Sequence, residues 1–342
     1  MKNLQLTYSP YSLGLKKPFF TAKSEIKKRD GFIIKVSDPD GFEGIGDACP
    51  FSEFGSESYK IAEEALSALK LEIKIDESNI YKSLNECLKD FNHQPALRHG
   101  LEQAIVNLIC NKNKTKVDKL LNLNLRKKIE VNGTIGMLNP GESVDTAKTL
   151  VGRGFSTIKV KLGRANFNDD LAVVKSIRDT IGKEIKLRVD VNGKWIFKKA
   201  VVYLKELEEF DIEYTEQPVN EPQDYIELKK EINIPLAADE SIRSAEEAKK
   251  FINSGAVSYI VLKPMLIGGL LPTIEIIKLA ESKNVKPVIT SSFESAVGRT
   301  NAVIAAACVK EDVAHGLAVN DYFNNDLMND PYQIKSGTIT LQ

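Results

Sequence analysis

Charged residues recur at a regular interval through the second half of the chain. Lys159-Val-Lys161, Asp190-Val-Asn192, Glu216, Asp239-Glu240 and Lys263 each close a short apolar, β-branched run, about one strand-plus-helix unit after the one before. A strand buried on both faces does not hold a charge without a partner or a use for it. One such residue alone is ordinarily half of a buried ion pair. Five in register, at the same end of successive strands, have no reason to share one level unless they work together. Three carboxylates on adjacent strands, those of Asp190, Glu216 and Asp239, repel one another unless a cation lies between them. Hard oxygen donors with room for water and substrate oxygens describe a magnesium site. The lysines stand on the flanking strands and face each other across it. Lysine is a poor base at its ordinary pKa of about 10.4. Lys159 and Lys161, two apart on one strand, share a face, and like charge together with the metal would lower the pKa of Lys161 into a useful range. That combination suits removal of a proton next to a substrate carboxylate.

The surrounding pattern says what must position these groups. From about residue 129, strand-like runs at 129–132, 157–161, 186–191, 212–216, 236–239, 259–263, 287–290 and 313–317 alternate with segments of helical period such as 169–181, 197–209, 245–254 and 272–284. Eight such units match a (β/α) barrel of parallel strands, a modified TIM barrel, better than an open sheet. No Gly-x-Gly-x-x-Gly follows any strand, which counts against a doubly wound dinucleotide fold. In barrels of this kind the active site lies at the carboxyl ends of the strands, the level at which the charges stand. Ahead of the barrel, residues 31–37 and 42–46 read as strands about the turn Asp38-Pro-Asp-Gly41, and 57–71 and 97–109 have helical period. The expectation is an α+β capping domain over 1–122 and a barrel over 123–321. The tail, 322–342, is expected to complete the cap through a weak strand at 337–341. Loops at 17–22 and 50–55 are expected to close over the pocket and exclude water.

Composition narrows the function classes. The 342 residues include 47 basic and 47 acidic side chains, a formal net charge of zero, so nothing electrostatic points to nucleic acid or to an anionic membrane. Hydrophobic residues make up 42%, enough for a large core. The first residues lack the apolar stretch of a signal peptide, and Lys263 and Pro264 interrupt the most apolar later run. Cys49, Cys87, Cys110 and Cys308 lie far apart without a CxxC pair. Reduced, mostly buried thiols in a cytoplasmic protein are expected, with a small-molecule carboxylate as the partner.

The set Lys159-x-Lys161, Asp190-x-Asn192, Glu216-Gln-Pro218, Asp239-Glu-Ser241 and Lys263-Pro264 resembles the enolase superfamily, and within it the muconate lactonising subgroup. That superfamily uses a lysine or histidine base with magnesium. The resemblance implies that Asp190, Glu216 and Asp239 bind Mg2+, with Mn2+ an expected substitute, that Lys161 is the general base and that Lys263 is the opposing lysine. Lys159, Arg188 and Asn192 would orient the base or the substrate, and Ser291, Ser292 and Gly316 would hold substrate oxygens at the rim. Gly46-Asp-Ala-Cys-Pro-Phe51, Ser291-Ser-Phe-Glu-Ser295 with Gly298, and Gly316-Leu317 are most similar to the o-succinylbenzoate synthase family. Asp47, Phe51 and Ala318-Val319 depart from its usual residues. The implied reaction is dehydration of 2-succinyl-6-hydroxy-2,4-cyclohexadiene-1-carboxylate to 2-succinylbenzoate, a step of menaquinone biosynthesis, through a metal-stabilised enediolate. The alternatives are N-succinylamino acid racemase and dipeptide epimerase. Dipeptide epimerases carry an Asp-x-Asp on the eighth strand to hold the substrate amine, and this chain has His315-Gly-Leu-Ala-Val-Asn320 there.

Overall fold

Three antiparallel strands, β1 (Gln5–Phe20), β2 (Glu25–Ser37) and β3 (Glu43–Ala48), pair in that order. The computed structural model describes residues 4–20, 25–69 and 75–341. In β2, Phe32, Ile34 and Val36 are fully buried and alternate with less buried neighbours, the period of a half-buried strand. The turn into β3 is made by Asp38, whose carboxylate accepts hydrogen bonds from the backbone N–H groups of Asp40 and Phe42, 3.0 Å each. The helix Pro95–Lys112 lies across β3, with almost every side chain buried. Gly44 and Gly46 meet its backbone at Ala104 and Gly100 so closely that a side chain on either would collide. The expected loop at 17–22 is instead the end of β1 as far as residue 20, and residues 21–22 lie outside the described ones. The helix expected at 57–71 runs Tyr59–Ala68, and residues 70–71 are likewise outside.

The remainder is a parallel barrel. After β4 (Lys128–Glu130), the strands β5 (Gly133–Ile135), β6 (Thr157–Lys161), β7 (Lys186–Asp190), β8 (Ile212–Glu216), β9 (Leu236–Ala238), β10 (Tyr259–Leu262) and β11 (Lys286–Ile289) form one sheet in sequence order. His315 and Gly316 close it. His315 bridges in parallel to Val131, Gly316 bridges to Thr290, and four backbone hydrogen bonds of 2.8–3.1 Å stitch this seam. The expected eighth strand is therefore reduced to two bridging residues, because Gly316 must pass tight against Thr290. Helices such as Phe167–Ile181, Phe197–Leu207, Ala245–Ser254 and Leu270–Ser282 follow the strands. Inside the barrel, Tyr214, Ala237, Tyr259, Val261, Val288 and Val313 form a packed plug beneath the mouth.

Two expectations need correction. The strand foreseen at 129–132 is split. Its first half, β4, leaves the barrel sheet to pair antiparallel with β13 (Thr338–Thr340), which follows β12 (Ile334–Lys335). The terminal strand thus joins the barrel's entry instead of the cap sheet, because the buried pair Ile339–Ile129 offers it an apolar partner. The tail does reach the cap earlier, where Phe323 bridges Leu15 and Asn324 donates to Gly14 O at 2.9 Å. Among the described residues no helix is long and apolar enough to cross a membrane.

Candidate active site

Register brings the charged residues to one level. Lys161 pairs with Asp190 across β6 and β7, and Asp190 with Glu216 across β7 and β8. Beyond β9 the chain turns, Ile242 N–H donating to Asp239 O at 2.8 Å, which leaves both Asp239 and Glu240 on the cavity. Gln217 fixes that turn. It takes a left-handed φ of 42°, accepts from Asp239 N–H at 2.9 Å and donates to Ser241 Oγ at 2.6 Å. The Glu-Gln-Pro and Asp-Glu-Ser motifs are thus two halves of one clamp.

The lysines hold the carboxylates. Lys161 Nζ donates to Asp190 Oδ2 at 2.7 Å and to Asn192 Oδ1 at 2.9 Å. Lys159 Nζ lies 3.1 Å from the same Asp190 oxygen and donates to Glu216 Oε1 at 2.8 Å. Lys263 pairs with Asp239, and Asn192 Nδ2 donates to Glu240 Oε1 at 2.5 Å. Three strands separate β6 from β10, so Lys161 and Lys263 meet the cavity from opposite walls. Burial would push Lys159 down, yet Glu216 and Asp190 carry its pKa well above the ordinary lysine value. Burial likewise opposes the charge on Asp190, but Lys161 and Lys159 hold that carboxyl far below its usual range. Glu216 absorbs the difference, pushed up to about 8 by burial and then by neighbouring Asp190. Burial, followed by Asp239, pushes Glu240 up to about 7.

The cavity, about 180 Å³, has Lys159, Lys161, Asp190, Asn192, Asp239 and Lys263 at its base. Ser291 and Gly316 line its side, and Glu53 and Phe54 reach in from the cap segment at 50–55. Phe54 covers Lys263, with Nζ 5.6 Å from the ring centroid. Glu216 lies just beneath, 1% exposed. Two expected substrate contacts are not in this lining. Arg188 sits a layer lower, fully buried, bonded to Glu213 Oε2 at 2.5 Å and Ala314 O at 2.7 Å and stacked over Tyr214. The strand period that puts it on the face of Asp190 also puts it one layer deeper. Ser292 is turned inward, its N–H donating to Glu294 at 2.5 Å. Sequence reasoning named Glu240 among the strand-end charges without giving it a role, placed Phe54 only within the loop 50–55, and passed over Arg243, and all three line the cavity. All three lie in turn or loop segments, where periodicity no longer tells which way a side chain faces.

Among the described residues no group of three His, Cys, Asp or Glu side chains is arranged to hold a metal ion. Each of the three expected ligands is drawn to a lysine instead. The donor chemistry nonetheless fits a hard divalent cation. Buried Glu216 Oε2 has no hydrogen-bond partner, and its raised pKa marks a place where positive charge is in deficit.

Comparison with known proteins agrees with this architecture. The profile of the enolase C-terminal domain-like family matches residues 142–342. The o-succinylbenzoate synthase of Thermobifida fusca is 34% identical over 60% of this chain and 64% of its own, so the match spans under two thirds of that relative. The hydrophobic dipeptide epimerase of Enterococcus faecalis is 29% identical over 91% of this chain and 88% of its own. The crystal structure of the dipeptide epimerase from Enterococcus faecalis, complexed with Mg and the dipeptide L-Leu-L-Tyr, superposes with a TM-score of 0.89 at 26% identity. It covers 100% of this chain and 98% of that one.

Proposed function

Because this chain belongs to the enolase C-terminal domain-like family, within the enolase superfamily, we propose that it removes the proton next to a substrate carboxylate, and that it is an o-succinylbenzoate synthase. The observation that carries the first part is the pair of lysines. Lys161 and Lys263 enter one cavity from opposite walls above a shared floor of carboxylates. Asp190, Glu216 and Asp239 would hold magnesium, the metal in the related epimerase complex. When bound it supplies Lewis-acid stabilisation of the charge that gathers on the substrate carboxylate as the proton leaves.

The chain's own residues do the rest. Lys161 Nζ, aimed by Asp190 and Asn192, takes the proton from the carbon bearing the carboxylate. The electrons left behind expel the 6-hydroxyl, which takes the proton back from Lys161 and leaves as water, so one face suffices. Lys263, facing from the other side, contributes positive charge near the ring. Phe54, reaching in from the cap segment, covers Lys263 and shields it from water.

The eighth-strand wall supports the choice of substrate. Gly316, Ala318 and Val319 line it, and the acidic residue beyond them, Asp321, pairs with Arg153 at 2.9 Å. A dipeptide's ammonium group would find no counter-charge on that wall, which costs several kcal/mol of binding in a dry pocket. The second reading, racemisation of an N-succinyl amino acid, is favoured by the opposed lysines and by the epimerase relative matched over 91% of the chain. The test assays purified protein with magnesium against the cyclohexadiene carboxylate, N-succinyl amino acids and Ala-Glu dipeptides. Dehydration should have the highest kcat/KM by at least roughly tenfold, about 1.4 kcal/mol of differential transition-state binding. A dipeptide as best substrate would overturn the synthase reading and leave the proton abstraction standing.

A further inference from the structure

Arg243 stands at the cavity mouth with its stem fixed and its fork unused. Its backbone N–H donates to Glu247 Oε2 at 2.7 Å and its Nε to Glu240 O at 3.1 Å. The cap braces the stem from the other side. Gly55 has a φ of +109°, and a β-carbon there would come within 2.9 Å of Arg243 Cγ and 3.0 Å of Cδ. Glycine is thus required both by the backbone and by the arginine packed on it. Each lysine of the cavity is bound to a carboxylate. Among the described residues Arg243 has no such partner, and no hydrogen bond engages either of its terminal nitrogens. Arg243 is exposed and lines the cavity, and a guanidinium held by its Nε and its stem, with its outer nitrogens uncommitted, is set to take a carboxylate through two parallel bonds.

We infer that Arg243 is a specificity-determining residue that receives a second, distal carboxylate of the substrate. The enzyme then selects dicarboxylic carbon acids, with one carboxylate over the strand ends and the other at the rim. The inference rests on the carbon-acid reading of the site. It does not depend on whether dehydration or racemisation follows, since both succinyl-bearing substrates carry the distal group.

The test measures equilibrium binding of 2-succinylbenzoate, and of its amide at the succinyl end, to the magnesium-loaded protein. Wild type should bind the diacid roughly 10- to 100-fold more tightly than the amide, the scale of a charge-assisted hydrogen bond. Arg243→Gln should shrink that preference to about twofold, and Arg243→Lys should keep only part of it. Gly55→Ala, which pushes on the stem from the cap side, should also narrow the preference and raise KM more than it lowers kcat. It serves as the second variant should Arg243→Gln fail to fold. Equal binding of diacid and amide by wild type, equal weakening of both by Arg243→Gln, or binding of neither ligand would each overturn the inference. Binding needs no turnover, so a protein that discriminates the two ligands without dehydrating anything keeps Arg243 in this role and refutes the synthase reading. A protein that dehydrates without discriminating does the reverse.

Discussion

Lys161 and Lys263 carry the same charge, yet the proposed chemistry asks different things of them. Lys161 must lose its proton and recover it, and Lys263 need only remain positive. Arginine separates the two demands, because a guanidinium keeps its charge and does not act as a base. Lys161→Arg should therefore lose activity about as fully as Lys161→Ala, by on the order of 10² to 10⁴ in kcat. Lys263→Arg should retain more than Lys263→Ala. Steady-state kinetics on variants with unchanged circular dichroism reads this directly, and substantial turnover by Lys161→Arg would remove Lys161 as the base. If Lys263→Arg is as dead as Lys263→Ala, the racemase reading, in which both lysines exchange protons, gains instead. Both lysines are legible in the sequence because each ends a β-branched run, where a charge is out of place. Arg243 is not, and Glu240 is legible only as a charge without a direction, because both lie beyond Ala238 in a turn, where no period links sequence position to direction.

Between the elements, two separate motifs turn out to touch. Asp47, at the end of a cap strand, accepts from Tyr11 OH at 2.8 Å, from Ser295 N–H at 3.0 Å and from Ser295 Oγ at 2.6 Å. A β-carbon on Gly298 would lie 2.7 Å from its carboxylate, so that glycine makes room for the cap. The loop between Ile289 and Ser295, which carries cavity residues Ser291 and Phe293, is thereby docked on the cap. Burial pushes the Asp47 carboxyl up to about 6 from 3.8, although Ser295 and Tyr11 favour its charge. Its folded pKa is the higher one, so its contribution to stability is fully present below about 3.8 and lost as pH rises through about 6. Against an Asp47→Asn variant, wild type should lose about 3 kcal/mol of relative unfolding free energy over that window and none above it. Denaturant unfolding of both proteins across the window checks this, and a pH-independent difference would show that the site does not titrate there. The sequence carries both motifs as resemblances without revealing that they meet, since contact across 248 positions leaves no periodic trace. The barrel is readable for the opposite reason: its strand-and-helix alternation is local. That reading fails where long-range closure prevails, at the eighth strand, reduced to His315 and Gly316, and at β4, claimed by the chain's last strand.

On the scale of the whole molecule, the barrel mouth holds a group of acids that its own lysines only partly neutralise, under the segment that carries Glu53 and Phe54. Lys159 serves both Asp190 and Glu216, and Lys263 serves Asp239. Glu216 and Glu240 are still pushed upward by burial and by their acidic neighbours. A divalent cation bound among Asp190, Glu216 and Asp239 would relieve that repulsion in the folded chain, and the unfolded chain offers no comparable arrangement. Binding to the native state alone raises stability with the logarithm of ligand concentration, by about 2.7 kcal/mol at a hundred times Kd. Magnesium should therefore raise the unfolding midpoint progressively, and activity should vanish in chelator and return when magnesium or manganese is restored. Glu216→Gln keeps the size of the side chain and one acceptor oxygen but replaces the other with an N–H donor and gives up the charge, so it should weaken both effects together. Asp190→Asn and Asp239→Asn should do the same, with Lys161 and Lys263 then short of a partner. Thermal unfolding with and without magnesium, run beside the activity assay, keeps the two readouts separate. Full activity after verified removal of all divalent metal would sink the metal assignment, and a midpoint that responds equally in wild type and Glu216→Gln would place the cation elsewhere.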